Sequence, residues 1–275
     1  MDSAPREVYA TLLNDGTYLC SWRTMYRLLA RHDEVRERRN VRRHPAYVKP
    51  ELAASAPNQV WTWDITYLKT EVRGQFFYLY VAIDLFSRYV VGWLLDTEES
   101  GLLARKLFAK SCQRQNVQPG QLTLHADRGA PMKSKTLKQF LSDRGVTSSH
   151  GRPRVSNDNP HSESGFKTMK YSPNFPARFS SLEEAEIFCR KYFIWYNNDH
   201  HHTGIALLTP EQVYHGKTVE ALVQNQATLD AAFAENPVRF GNRRPMVETL
   251  PEMVWINRPA VAVSKPTEIS VSAVD

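Results

Sequence analysis

Three runs rich in aromatic and β-branched residues follow one another with only turn residues between them: QVWTWDITYLK at 59–69, QFFYLYVAID at 75–84 and SRYVVGWLLD at 87–96. Side chains of this kind suit a pleated, half-buried surface, so the runs predict three successive strands in an antiparallel meander. The rhythm then changes. ESGLLARKLFAKSCQRQ predicts a helix, QLTLHAD a short buried strand, SKTLKQFLSDRG a helix ended by Gly145, and VTSSH a weak strand. SNDNPHSESGFKTMK, at 156–170, is a polar loop turning into a further helix.

Three antiparallel strands followed by helix, strand, helix, strand and helix is the order of an α/β, ribonuclease-H-like fold, a mixed sheet with helices on both faces. Residues 1–35 form a small helical region before it, two short helices around Asn14, Asp15 and Gly16, with Ser21 as an N-cap. The pattern is that of a helical hairpin or a partial helix-turn-helix. A basic linker at 36–57 follows, with five arginines between 36 and 43 and no apolar periodicity, suited to phosphate contacts. The catalytic-core candidate spans 58–216 and includes a long helix capped at Ser180 or Ser181, whose Ala185, Phe188, Tyr192 and Trp195 form an expected core stripe. A helical or irregular extension covers 217–256, and a disordered tail is expected over 257–275.

The three cysteines are widely spaced with no CxxC pair, which argues against a disulfide framework or a zinc knuckle and fits a reducing cytoplasm. The longest apolar run, FFYLYVAI, falls far short of the ~20 residues that cross a bilayer. No membrane partner is expected. A net charge of +6 is compatible with a polyanionic partner.

Asp64 interrupts an aromatic strand, where an unpaired acid is costly to bury. Asp127 ends the next strand of the α/β part, at the functional edge of such sheets. Neighbouring first and fourth strands would set these two acids face to face, with the helix of Glu163 crossing their end. Three such carboxylates repel unless a cation joins them, and hard divalent ions bind oxygen ligands of this kind. Two such ions can clamp both oxygens of an in-line phosphoryl displacement. Glu163, Lys167 and Lys170 stand at i, i+4 and i+7, on one helix face over two turns. The glutamate can therefore reach metal while the lysines face a phosphate backbone. The plain alternative is an exposed Glu-to-Lys pair worth ~0.2–0.5 kcal/mol.

With 35 residues between Asp127 and Glu163, the triad resembles the DDE core of integrases and transposases. The motifs WTWDIT, DLFSRYVVGW, LHADRG, SNDNPHSE, FKTMKY and WYNNDHHHTGIALLTPEQV resemble the second-frame product of insertion-sequence-three-type transposases, from Tyr9 to Gly216. The resemblance implies cleavage and strand transfer of transposon-end DNA. Asp64, Asp127 and Glu163 would be both catalytic residues and ligands of Mg²⁺, two ions, with Mn²⁺ as substitute. It implies a DNA contact at Lys170 and turns the first fifty residues toward the helix-turn-helix reading. Lys167, Arg128, Arg152, Arg154 and His202 are further candidate DNA contacts.

The expected partners are double-stranded DNA, both transposon ends and target, and further copies of the chain assembled on it. Met1 stands just before the first helix, so a shortened DNA-binding half and an upstream-frame helix-turn-helix partner or fusion are also expected. A cytoplasmic, nucleoid-associated location follows. Gly165, inside the helix of Glu163, is expected to weaken that helix by ~1 kcal/mol. Asp84 is the main competing ligand, expected instead to cap a turn. The alternatives in other classes are a ribonuclease-H-like nuclease without strand transfer and an inactive DNA-binding remnant.

Overall fold

The structure is a computed structural model and describes residues 4–32, 34, 47–153 and 155–259. It divides into two units, residues 1–46 and 47–275.

In the first unit, α1 (Pro5–Asn14) and α2 (Trp22–Arg31) flank a turn at Gly16. Glu7 accepts a hydrogen bond from the Ala4 amide, and Ser21 Oγ caps α2 by accepting from the Thr24 amide at 3.2 Å. Neither helix buries a residue. Most of the arginine-rich stretch expected as a linker lies outside the described residues.

The second unit is built on a five-stranded sheet. After β1 (Leu52–Ala54) come β2 (Val60–Lys69), β3 (Phe76–Asp84), β4 (Val90–Asp96), β5 (Thr123–Ala126) and β6 (Thr147–His150). The sheet order is β4-β3-β2-β5-β6, with β2, β3 and β4 antiparallel and β5 and β6 parallel to β2. This is the mixed sheet of the ribonuclease-H-like fold.

Alternation along β2 divides the core. Trp61 and Trp63 point to one face, where α3 (Gly101–Arg114) and α4 (Lys135–Asp143) bring Phe108, Leu107, Leu137 and Leu141. Trp63 meets Phe108 edge to face at 5.1 Å. Thr62, Asp64, Thr66 and Leu68 are thereby left to the opposite face, which α5 (Pro160–Lys170) and α6 (Leu182–Asn198) cover with Met169, Cys189 and Tyr192. The buried stripe of α6 runs through Ala185, Cys189, Tyr192 and Tyr196. Trp195, expected in that stripe, is instead 41% exposed and lies against His200.

Two helices follow, α7 (Pro210–Tyr214) and α8 (Thr218–Glu235), and then β7 (Val254–Ile256). β7 pairs antiparallel with β1, and their Ala54, Val254 and Ile256 pack with Leu85 and Ile205 in a third cluster. Part of the expected linker is thus a strand. Asn257, where the tail was expected to begin, is held by hydrogen bonds to Pro50 and Asp158, and 260–275 lie outside the described residues.

Candidate active site

Asp64 sits on β2 between Thr62 and Thr66, on the face that α5 covers. Both threonines are buried, and each is tied to α5: Ser162 Oγ donates to Thr62 Oγ1 at 3.2 Å and Lys170 Nζ to Thr66 Oγ1 at 2.6 Å. The helix therefore lies along the strand with Asp64 between its two tethers. Trp63 pairs with Ala126 in the parallel β2–β5 ladder, so Asp64 and Asp127 are the next positions on neighbouring strands. Glu163 lies in the first turn of α5, where the helix N-terminus favours an acid. Asn159, the N-cap residue, donates from Nδ2 to Trp63 O at 3.2 Å, one residue before Asp64.

Asp64 and Asp127 both titrate above the ordinary carboxylate range. Burial pushes the Asp64 carboxyl up to about 7; the Ile65 amide bond at 2.8 Å opposes this, and Asp127, Glu163 and Glu99 add to the rise. Asp127 is also raised, first by burial and then by Glu163 and Asp158. Burial lowers Lys170, the nearby Lys69 lowers it further, and Asp64 acts in the other direction. Among the described residues no group of three or more His, Cys, Asp or Glu stands ready to hold an ion. The donor chemistry suits a divalent cation: Asp64 and Asp127 occupy neighbouring strand positions, Glu163 acts on both, and the half-buried Asp64 resists ionising without a counter-charge.

Gly165 has a physical reason in this helix. A Cβ there would lie 2.9 Å from Ile83 Cδ1 on β3, so the glycine lets α5 seat closely on the sheet. The expected weakening of the helix is the cost of that approach.

The candidate DNA contacts divide. Arg128 donates from Nε to Gly151 O at 2.8 Å and stacks over Tyr47 at 4.5 Å; with Tyr47, Asp127, Lys133 and Arg152 it lines a cavity of about 620 Å³ beside the acids. Lys167 is exposed. Arg152 forks onto Asp158 at 3.0 Å from both Nε and Nη2, so much of its donor capacity is already used. His202 is half-buried against Tyr196 and His200, with its pKa pushed down to about 4 by burial, then by His200, Arg88 and His201. Arg154 lies outside the described residues. A separate groove of about 490 Å³ across β4, lined by Lys106, Lys110, Arg114, Glu186 and Arg190, contains none of the three acids.

Asp84 does cap a turn. It is buried and accepts from the Ser87 amide and hydroxyl at 2.8 and 2.7 Å and from the Asn58 amide at 2.8 Å. Sequence reasoning missed Glu99, His125, Asn159 and the role of Asp158. SNDNPHSE carried the last two as polar loop residues, and nothing local marked one of them as a buried anchor.

Two integrase core domain families match this chain, over residues 54–156 and 144–210, the first containing Asp64 and Asp127 and the second Glu163. A transposase for insertion sequence element IS904 of Lactococcus lactis is 36% identical over 61% of this chain and 65% of its own length. Transposase InsF for insertion sequence IS3A of Escherichia coli is 31% identical over 60% of this chain and 57% of its own length. The chain thus spans less than two thirds of either relative. Among solved structures, the intasome of simian T-cell lymphotropic virus with a PP2A regulatory subunit overlays with a TM-score of 0.48 at 18% identity, over 75% of this chain and 70% of that one. The HTLV-2 integrase catalytic core in complex with magnesium overlays at 0.43 and 19% identity, over 58% of this chain and 97% of that one.

Proposed function

We propose that this chain, whose residues 54–210 match integrase core domain families and which is 36% and 31% identical to two insertion-sequence transposases, is a DNA transposase that cleaves transposon ends and joins them to target DNA through Asp64, Asp127 and Glu163. The observation that carries this reading is the Asp64 carboxyl, half-buried on β2 beside Asp127 and lifted to about 7 by burial first and then by Asp127 and Glu163. Such a set is stable when a divalent charge joins it and poorly stable otherwise. Asp64, Asp127 and Glu163 would hold Mg²⁺, two ions with Mn²⁺ as substitute, which supply charge neutralisation and activation of the attacking and leaving oxygens of a phosphodiester.

The chain's own residues supply binding and orientation. Lys170, drawn to Thr66 beside Asp64, offers a cation close to the acids for a phosphate. Arg128 offers a second on the Asp127 side, from the cavity it lines with Lys133. Lys167 extends the basic face of α5 outward. Arg152, Arg154 and His202 remain proposed contacts of lesser support, Arg152 because Asp158 already engages it. The substrate is double-stranded end and target DNA. The working form is an assembly of several copies on paired ends, with an upstream-frame helix-turn-helix partner or fusion and a cytoplasmic, nucleoid-associated place of action. No described helix is long and apolar enough to cross a membrane.

The test is a labelled transposon-end duplex incubated with target DNA and Mg²⁺. Cleaved and joined products are expected, with both lost in Asp64→Asn and Glu163→Gln. Cleavage without joining would make the chain a nuclease. DNA binding with neither product, in the unsubstituted chain, would make it an inactive remnant.

A further inference from the structure

The loop that leads into α5 is anchored on a carboxylate that the proposed reaction does not use. Asp158 is fully buried and accepts four hydrogen bonds. Oδ2 takes the Arg152 amide at 2.8 Å and Arg152 Nε at 3.0 Å; Oδ1 takes Arg152 Nη2 at 3.0 Å and Asn257 Nδ2 at 2.9 Å. The same Asn257 amide group donates to Pro50 O at 3.0 Å. One side chain at the end of β7 therefore ties together the approach to β1, the loop before α5, and its own strand.

The restraint continues toward the acids. The main-chain oxygen of Asp158 accepts from His125 Nε2 at 2.8 Å, and His125 lies on β5 two residues before Asp127. The other ring nitrogen of His125 meets Ser149 Oγ at 3.0 Å on β6. Asn159 bonds Trp63 O beside Asp64, and Glu163 follows one turn later. We propose that Asn257 and Asp158 are positioning residues, a latch by which the C-terminal strand β7 fixes the seat of α5 and hence the place of Glu163 against Asp64 and Asp127. This latch lies partly beyond residue 210, where the integrase core match ends. It rests on the reading of the three acids as the ion-holding set.

Two features support a purpose beyond simple packing. The Arg152 fork first, then the Arg152 amide and Asn257, hold Asp158 down at about 2 against the opposing effect of burial, so the anchor is a full charge at any working pH. Asn257 also stands in the left-handed region, at φ 56°, which asparagine, aspartate and glycine tolerate better than other residues. A residue needed only for that turn would be replaceable by any of the three. A latch accepts neither replacement, because glycine has no donor and aspartate aims a second charge at Asp158.

The experiment compares the full chain with Asn257→Gly and Asn257→Asp, with thermal melting as a check that each variant folds. Amide exchange over 155–165 is expected to rise about tenfold in Asn257→Gly and more in Asn257→Asp, while β2 and β3 keep their protection. Mn²⁺ binding, read from the free-ion electron resonance signal, is expected to weaken by roughly 10-fold, with cleavage falling in kcat at unchanged KM for DNA. Unchanged exchange in both variants overturns the latch whatever the activity. Changed exchange with unchanged Mn²⁺ affinity and kcat also overturns it, because the anchor would then not reach Glu163. If the unsubstituted chain neither binds Mn²⁺ nor cleaves, the reading of the acids fails, and the exchange result still decides whether β7 holds α5.

Discussion

Asp64, half-buried on β2, and Asp158, fully buried in the loop before α5, titrate in opposite directions. Asp64 accepts a bond from the Ile65 amide and faces Asp127 and Glu163, and its pKa rises to about 7. Asp158 accepts four donors, two of them from the Arg152 guanidinium, and falls to about 2. Burial acts upward on both; it is the largest effect at Asp64, where one amide opposes it, and is outweighed by the donors at Asp158. A buried acid with a full set of donors is part of the scaffold. A half-buried acid with one donor and other acids nearby is poorly satisfied in the isolated chain and is suited to a charge that arrives from outside.

The largest effect should come from removing the unsatisfied acid. Asp64→Asn is expected to lower end cleavage by roughly a thousandfold or more, the scale of lost metal-ion charge stabilisation. The same change should make the metal-free protein more stable near pH 8, by up to about 4 kcal/mol if the whole shift is relieved. Chemical unfolding without divalent ions checks this, and a loss of stability would break the contrast with Asp158. Asp158→Asn should do the reverse and lower stability, because the buried carboxylate that takes the Arg152 fork and the Asn257 amide is lost.

Titration sharpens the comparison next. The Asp64 pKa is higher in the folded chain than in the unfolded one, so its contribution is fully present below about pH 4. That contribution declines as pH rises toward about 7. Asp158 is depressed, so it contributes fully above about pH 4 and loses about 2–3 kcal/mol as pH falls toward 2. Stability differences between the wild-type chain and each Asn variant, followed across pH 3–8, should therefore slope in opposite senses. Excess Mg²⁺ should flatten the Asp64 curve and leave that of Asp158 unchanged.

The two acids were not equally visible in the sequence. Asp64 stands out because a charge inside WTWDIT violates a local pattern, and the meander around it was readable from its aromatic, β-branched runs. Asp158 stands in a loop of polar residues where one more acid is unremarked, and its partner Asn257 is almost a hundred positions away. Arg152 looked like a phosphate contact for the same reason, since sequence shows the charge and not the carboxylate that takes it. The β1–β7 pair was hidden because three-residue strands have too little alternation to read and are joined across most of the chain. Trp195 fell on the expected helical stripe, but the buried face of α6 is centred on Cys189 and Tyr192, and the indole is left at its margin.

The smallest effect tests the seat that brings Glu163 to Asp64. In an exposed helix, Gly165→Ala would add about 1 kcal/mol of stability through helix propensity alone. Here the new methyl would meet Ile83 Cδ1 at 2.9 Å, and Ile83 is itself buried, so the propensity gain opposes an overpacking cost of about 1–3 kcal/mol. The net should be a loss of about 1 kcal/mol, with end cleavage reduced more than stability because α5 is lifted from β3 together with its glutamate. Ile83→Val removes the clashing carbon at its own cost of about 1 kcal/mol. The double variant should then lose less than the two single variants added together, by about 1 kcal/mol, and recover cleavage relative to Gly165→Ala. Strict additivity would mean that α5 does not depend on that contact, and the seating of Glu163 would have to come from the bonds of Asp158, Asn159, Ser162 and Lys170.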